Sequence, residues 1–214
     1  MTPRDFPFGD SRGDSPSRRA LLRVLTVAPV VVPAIVSPWR EALISLHRRY
    51  DDEPVTLARS PEGRNLSRDF YHSAEIEMES VELGFFSQLR FIRPALHRAG
   101  SIAKLALCAY LLDVGFPDAW NAEHIRQDVA KALTYANATG FGHDCPDVAR
   151  LAVILSPFWK WGYPHLIGDP PVDDGGYSPD QVRLLLRALL DRVHDVTGHP
   201  RPKGWHRHQR DVRS

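Results

Sequence analysis

Apolar positions recur at helical spacing along most of the chain. The densest run is 101–114, SIAKLALCAYLLDV, in which only Lys104 and Asp113 are charged and apolar residues occupy every side of a helical projection. A helix that is apolar all round belongs in an interior. Fourteen residues rise roughly 21 Å, whereas a bilayer core needs about 20 apolar residues. The run is therefore read as the buried central helix of a helical domain and not as a membrane span.

Amphipathic stripes flank it on both sides. After Ser37-Pro38, a cap followed by a first-turn proline, Trp39, Ala42, Leu43, Leu46 and Tyr50 share one face. Asp51-Asp52-Glu53-Pro54 ends that helix, because a proline disfavours helix in the residue before it. Residues 52–68 read as a linker. Over 69–93 the positions Met78, Val81, Phe85, Leu89 and Ile92 fall within about 80° of one another. Pro94 is expected to kink or break this helix before Leu96. The alternation of Glu75, Glu77 and Glu79 with apolar residues would suit a short strand at 76–78, but the longer stripe favours helix.

Gly100-Ser101 is expected to open the central helix and Gly115 to close it in a left-handed cap. A further helix is expected over 121–138, with Ile125, Val129, Ala132, Leu133 and Ala136 inward. Pro146 starts another, perturbed at its end by Pro157. Residues 164–177 are rich in Pro, Gly and Asp and read as loop. Ser178-Pro179-Asp180 opens a last helix carrying Val182, Leu185, Leu186, Leu189, Val193 and Val196, stopped by Gly198 and Pro200.

The expected fold is all-α: an irregular bundle of five to seven helices around the buried helix 101–114. The expected organisation is a disordered leader at 1–16, a signal-like segment or N-terminal helix at 17–36, and a helix plus linker at 37–68. A helical core at 69–200 and a basic tail at 201–214 follow.

Charge refines this picture in two places. The net charge is +1, so the chain as a whole is not an electrostatic nucleic-acid binder. The charges are uneven, however. Residues 69–89 hold five acids and no Lys or Arg, and the last fourteen residues hold five bases and one acid. Cys108 lies in the central helix, where a thiol behaves as a small hydrophobe, and Cys145 precedes Pro146. Sequence does not decide whether the two pair.

Ser17-Arg18-Arg19-Ala20-Leu21-Leu22-Arg23, followed by VLTVAPVVVPAIV, resembles a bacterial twin-arginine export signal, with Arg23 in the position often held by Lys. A basic, polar leader before a moderately apolar stretch has the physical form of such a signal. The resemblance covers 17–34 only. It implies passage across the bacterial inner membrane after folding, a periplasmic location, and a cofactor loaded in the cytosol, whose identity is unknown. The competing reading is an N-terminal helix from Ser17, stopped by Pro29, on a cytoplasmic protein.

Candidate chemistry is sparse. Glu75, Glu79 and Glu82 fall within about 60° on a helix, and Asp69-x-x-His72 and Asp191-x-x-His194 echo the acid–His pairs of dimetal bundles. Asp191 lies opposite its helix's apolar stripe, so a solvated acidic face is expected instead. His143-x-Cys145, with His165 from a later loop, supplies too few ligands for structural zinc and has no nucleophile signature around it. No catalytic set and no metal site is read from the sequence.

The aromatic run Phe158-Trp159-Lys160-Trp161-Gly162-Tyr163 either plugs one end of the bundle or lines a pocket. In the second case Trp159, Lys160, Trp161, Tyr163, His165 and His143 are its ligand-binding residues, and a protein partner or small ligand would dock there. In the tail, Arg201, Lys203, Trp205, Arg207 and Arg210 interleave bases with one aromatic and form a candidate phosphate-gripping segment. Three readings of function result. The leading one is a non-catalytic helical binding protein exported in folded form. The others are a cytoplasmic nucleic-acid-binding protein of a mobile element acting through 201–214, and an enzyme with its cleft at 158–165.

Overall fold

A computed structural model describes residues 38–82, 92–162 and 173–202, and all of the described residues are helix, turn or loop, with no strand among them. In chain order the elements are α1 (Arg40–Tyr50), α2 (Pro61–Ser80), α3 (Ile92–Val114), the single turn α4 (Asp118–Trp120) and a π-turn (Asn121–Ile125). After these come α5 (Val129–Ala138), α6 (Pro146–Leu155), the short α7 (Trp159–Gly162) and α8 (Pro179–Thr197). Six of these helices have ten or more residues, and the all-α bundle is as the patterning predicts.

The central helix is α3. Residues 106–114 are all buried, two and a half turns with no solvent-facing side. α2 and α8 pack along it, and α5, α6 and α7 close the remaining sides. Its one buried charge, Asp113, is met by the Arg64 guanidinium from α2. No helix among the described residues is long and apolar enough to cross a membrane.

Several helix ends follow the local signals. Ser178 makes a full capping box with Gln181 before Pro179, and Gly198 ends α8 at φ 68°. Gly115 ends α3 at φ 109°, and a Cβ there would sit 2.7 Å from Ala58 N. Only glycine satisfies both the angle and the space.

Three boundaries differ from expectation. α2 begins at Pro61, not at 69, so the connecting segment is only 52–60. Ser60 caps the helix through Gly63 N at 3.0 Å, the same Ser-Pro signal that opens α8, here obscured by Gly63 and the scattered charges around it. α3 is helical from Ile92, where the described residues resume, so Pro94 and the rod at 101–114 belong to one helix. Gly100 therefore lies inside α3 and opens nothing. A Cβ there would lie 2.0 Å from Phe158 Cβ, so the glycine admits an aromatic ring against the helix backbone. The helix expected over 121–138 is broken by the π-turn and by Arg126, whose φ is 49°.

Two polar clusters pin the bundle. Arg187 of α8 donates from Nη1 to Glu75 Oε2 at 2.7 Å and from Nε to Glu82 Oε1 at 3.1 Å, while Tyr71 Oη donates to Glu75 Oε1 at 2.7 Å. Glu75 is thus a buried, paired carboxylate and not part of a solvated face. Its inward position follows from Arg187, which lies 112 residues away and has no local signature. The second cluster fixes the segment after α8. His194 Nδ1 donates to His199 O at 2.7 Å and His72 Nε2 to Pro200 O at 2.9 Å. Ser67 gives its hydroxyl proton to Ala109 O, so it accepts from His199 Nε2 at 2.6 Å. Asp113 approaches the same nitrogen at 3.9 Å. Ser, His and Asp are near one another, but a fully buried serine that donates to a backbone carbonyl is a strut and not a nucleophile. Cys108 and Cys145 are both free thiols, and burial pushes Cys108 up to about 11.

Candidate functional site

Among the described residues, the two non-glycine residues with positive φ and the π-turn lie around one place. α1 ends at Asp51 in the left-handed region, φ 54°, which turns the next side chain, Asp52, inward. Asp and Asn tolerate that region better than most residues. Opposite, α4 widens into the π-turn, and Arg126 reverses the chain before Asp128 caps α5 through Lys131 N at 2.9 Å. Asp51 and Arg126 are the two non-glycine residues with positive φ among those described, and they flank the same feature. π-turns and held-open φ values of this kind concentrate at functional sites.

That feature is a cleft of about 550 Å³, lined by Asp52, His124, Arg126, Gln127, Lys131 and Trp159 among others. Asp52 is its centre, with a side chain only 4% exposed. Lys131 Nζ donates to its Oδ1 at 2.6 Å and Tyr135 Oη to its Oδ2 at 2.7 Å. His124 Nδ1 lies 3.3 Å from the same Oδ1. Lys131 and Tyr135 are one helical turn apart on α5, so a single face of that helix delivers both donors. Lys131 Nζ also sits 5.1 Å from the centre of the Tyr50 ring.

The surroundings of Asp52 are aromatic and largely buried. Trp120 stacks beside His124 with centroids 4.9 Å apart, meets Tyr135 edge-on at 5.1 Å, and ties Nε1 to Glu53 O at 2.9 Å. Burial, reinforced by the hydrogen bond to Asp52, raises the Tyr135 phenol and keeps it protonated. His47 packs against Trp120 and Tyr135. Burial lowers His47 below the usual imidazole range, against the pull of Asp52. Buried polar atoms without a partner include His47 Nε2, both side-chain polar atoms of Asn121, and Gln127 Oε1. Of these residues Gln127 lines the cleft, while His47 and Asn121 are not among its lining residues.

The sequence-predicted ligand residues divide here. Trp159 lines the cleft and is 37% exposed. Trp161 is a plug, 3% exposed, with Nε1 donating to Ile154 O at 3.1 Å. Phe158 is likewise packed, against His97 and Gly100. Lys160 donates to Ser156 O at 2.8 Å and covers the Trp161 ring at 5.3 Å. Burial lowers its ammonium from the usual value, with Asp128 opposing. His143 packs on Phe141, and its main-chain N–H donates to Asn137 Oδ1 at 3.0 Å; it is not among the residues lining the cleft. Tyr163 and His165 lie outside the described residues.

Of the tail, Arg201 donates to Asp191 Oδ1 at 2.8 Å, so the first of the proposed phosphate-binding bases is engaged in an ion pair. Lys203, Trp205, Arg207 and Arg210 lie outside the described residues, as do Arg18 and Arg19 of the signal-like segment.

Sequence reading passed over Asp52, His124, Gln127, Lys131 and Tyr135. Asp52 looks like a helix terminator before Pro54, and its partners are 72–83 residues further along the chain. The Lys131/Tyr135 spacing was visible but has no meaning without the acid. No protein-family model, curated protein or solved structure matches this chain.

Proposed function

We propose that this chain is a non-catalytic, all-helical binding protein whose ligand sits in the cleft over Asp52. The observation that carries the reading is the coincidence, at one cleft, of a buried carboxylate held by Lys131 and Tyr135 and approached by His124 with the π-turn and the two positive-φ side-chain-bearing residues among those described. Ligand clefts of several hundred Å³ with an aromatic wall and a few convergent polar groups suit small molecules. The buried ion pair is a frame. It holds His124, Lys131 and Tyr135 still, so a ligand meets a preorganised wall at little entropic cost.

The test is a thermal-shift screen of small molecules, repeated on Trp159→Ala. A ligand that raises the melting temperature of the parent protein and not of the variant supports the reading. Ligands that stabilise both equally, or none at all, refute it. The resemblance at 17–34 supports delivery of the folded protein across an inner membrane. Cell fractionation with Arg18 and Arg19 both changed to Lys tests it, and an unchanged location in both forms overturns it.

A further inference from the structure

We infer that the ligand class of the Asp52 cleft is a small organic ammonium ion, an inference that rests on the reading of that cleft as the binding site. Three carboxylates line the cleft, those of Asp52, Glu123 and Asp128, against two cations, Arg126 and Lys131. Lys131 and Asp52 cancel each other, which leaves the Glu123 and Asp128 carboxylates against the single Arg126 guanidinium. Lys131 is spent on Asp52, and Arg126 Nε donates to Glu123 O at 2.8 Å. Among the described residues, no bond engages the Glu123 carboxylate, and Asp128 uses one oxygen, Oδ1, to cap α5.

An anion would find Arg126, outnumbered by the two carboxylates beside it, and the N-terminus of α5. That end is already occupied: Asp128 takes Lys131 N, and Ser156 Oγ takes Ala130 N at 2.8 Å. The favourable field there is answered by the protein's own carboxylate. A bare metal ion is also poorly served, because no grouping of three His, Cys, Asp or Glu ligands exists among the described residues.

What the cleft does offer is an aromatic face and acceptors. Trp159 presents its indole, the ring most favourable to a cation. The Glu123 side chain is exposed at the same cleft. An ammonium group carries N–H donors and a diffuse positive charge on an apolar body, which answers the indole, the Glu123 carboxylate and the remaining oxygen of Asp128 together.

The experiment is isothermal titration of the full chain at pH 7 and low salt with three probes of one shape: benzylamine, benzyl alcohol and benzoate. The inference expects benzylamine to bind about tenfold or more tightly than benzyl alcohol, with benzoate weakest. Trp159→Ala and Glu123→Gln should each weaken benzylamine several-fold while the melting temperature stays near that of the parent. Benzoate binding as well as benzylamine overturns the inference, as does benzylamine indifferent to both substitutions. If none of the probes binds, but a screened ligand without an ammonium group does and is lost in Trp159→Ala, the cleft remains the site and the ammonium assignment is wrong. If no ligand of any charge is sensitive to Trp159, both readings fall.

Discussion

Tyr135 Oη donates to Asp52 Oδ2 at 2.7 Å, joining the C-terminal end of α1 to the middle of α5 across 83 residues of chain. The bond matters because Asp52 is nearly buried. Tyr135→Phe keeps the ring packing and removes one donor from a buried carboxylate. It should cost about 1–3 kcal/mol of stability by urea unfolding. Asp52→Ala should cost more, about 3–5 kcal/mol, because Lys131 is then left buried without its partner. Equal losses for the two variants would show that Asp52 is not the organising group.

The acid sensitivity of the fold has a definite sign. Burial lowers His47, His143 and His199 below the ordinary imidazole value, so each is neutral in the native protein at neutral pH. Between the folded and unfolded values the unfolded chain binds more protons, so stability rises with pH there. The contribution of the neutral rings is complete above about pH 6.5, the unfolded value, and is lost as pH falls from there toward the folded values. Urea midpoints measured from pH 8 to pH 5 should decline below neutrality, and His199→Asn should shallow that decline. A flat profile would contradict the burial of these rings.

Gly100 sets two opposing effects against each other. Alanine in a helix interior gains about 1 kcal/mol over glycine. Here the new methyl would meet Phe158 Cβ at 2.0 Å, a contact set by the Phe158 backbone and not by a flexible tip. Overpacking of this kind costs about 1–3 kcal/mol or more, so Gly100→Ala should be destabilising on balance in chemical denaturation. Phe158→Ala keeps the offending Cβ and should relieve little, whereas pairing Gly100→Ala with Phe158→Gly should remove most of the clash.

How much of this was visible in the residues themselves depends on range. The rod at 101–114, the Ser178-Pro179 cap and the glycines at 115 and 198 are local signals, and their physics acts within a turn or two. Gly100 misled because a glycine that admits a neighbour looks the same in sequence as one that ends a helix. Ser60-Pro61 was missed because apolar periodicity is weak in the first turns of α2. Trp159 was singled out as an aromatic beside a loop, and the structure places it on the cleft. The polar members of that site were invisible, since Asp52 acquires its meaning only when folding brings α5 against it.

Arg187 and Glu75 give the last test, because the pair separates the value of an interaction from the cost of breaking it. Glu75 is 3% exposed and depends on Arg187 and Tyr71 for compensation. Arg187→Leu removes the positive partner and strands the acid, at a cost of about 3–5 kcal/mol. Adding Glu75→Leu to that variant replaces both charges by apolar groups of similar bulk. It should recover much of the loss, because a buried pair and a well-packed apolar pair differ far less than a pair and an orphan. The Tyr71 hydroxyl loses its acceptor in the double variant and sets a residual deficit of about 1–2 kcal/mol. A thermodynamic cycle in urea reads all three numbers. If the double variant is as unstable as the sum of the singles, the ion pair is not the unit that holds α8 against α2.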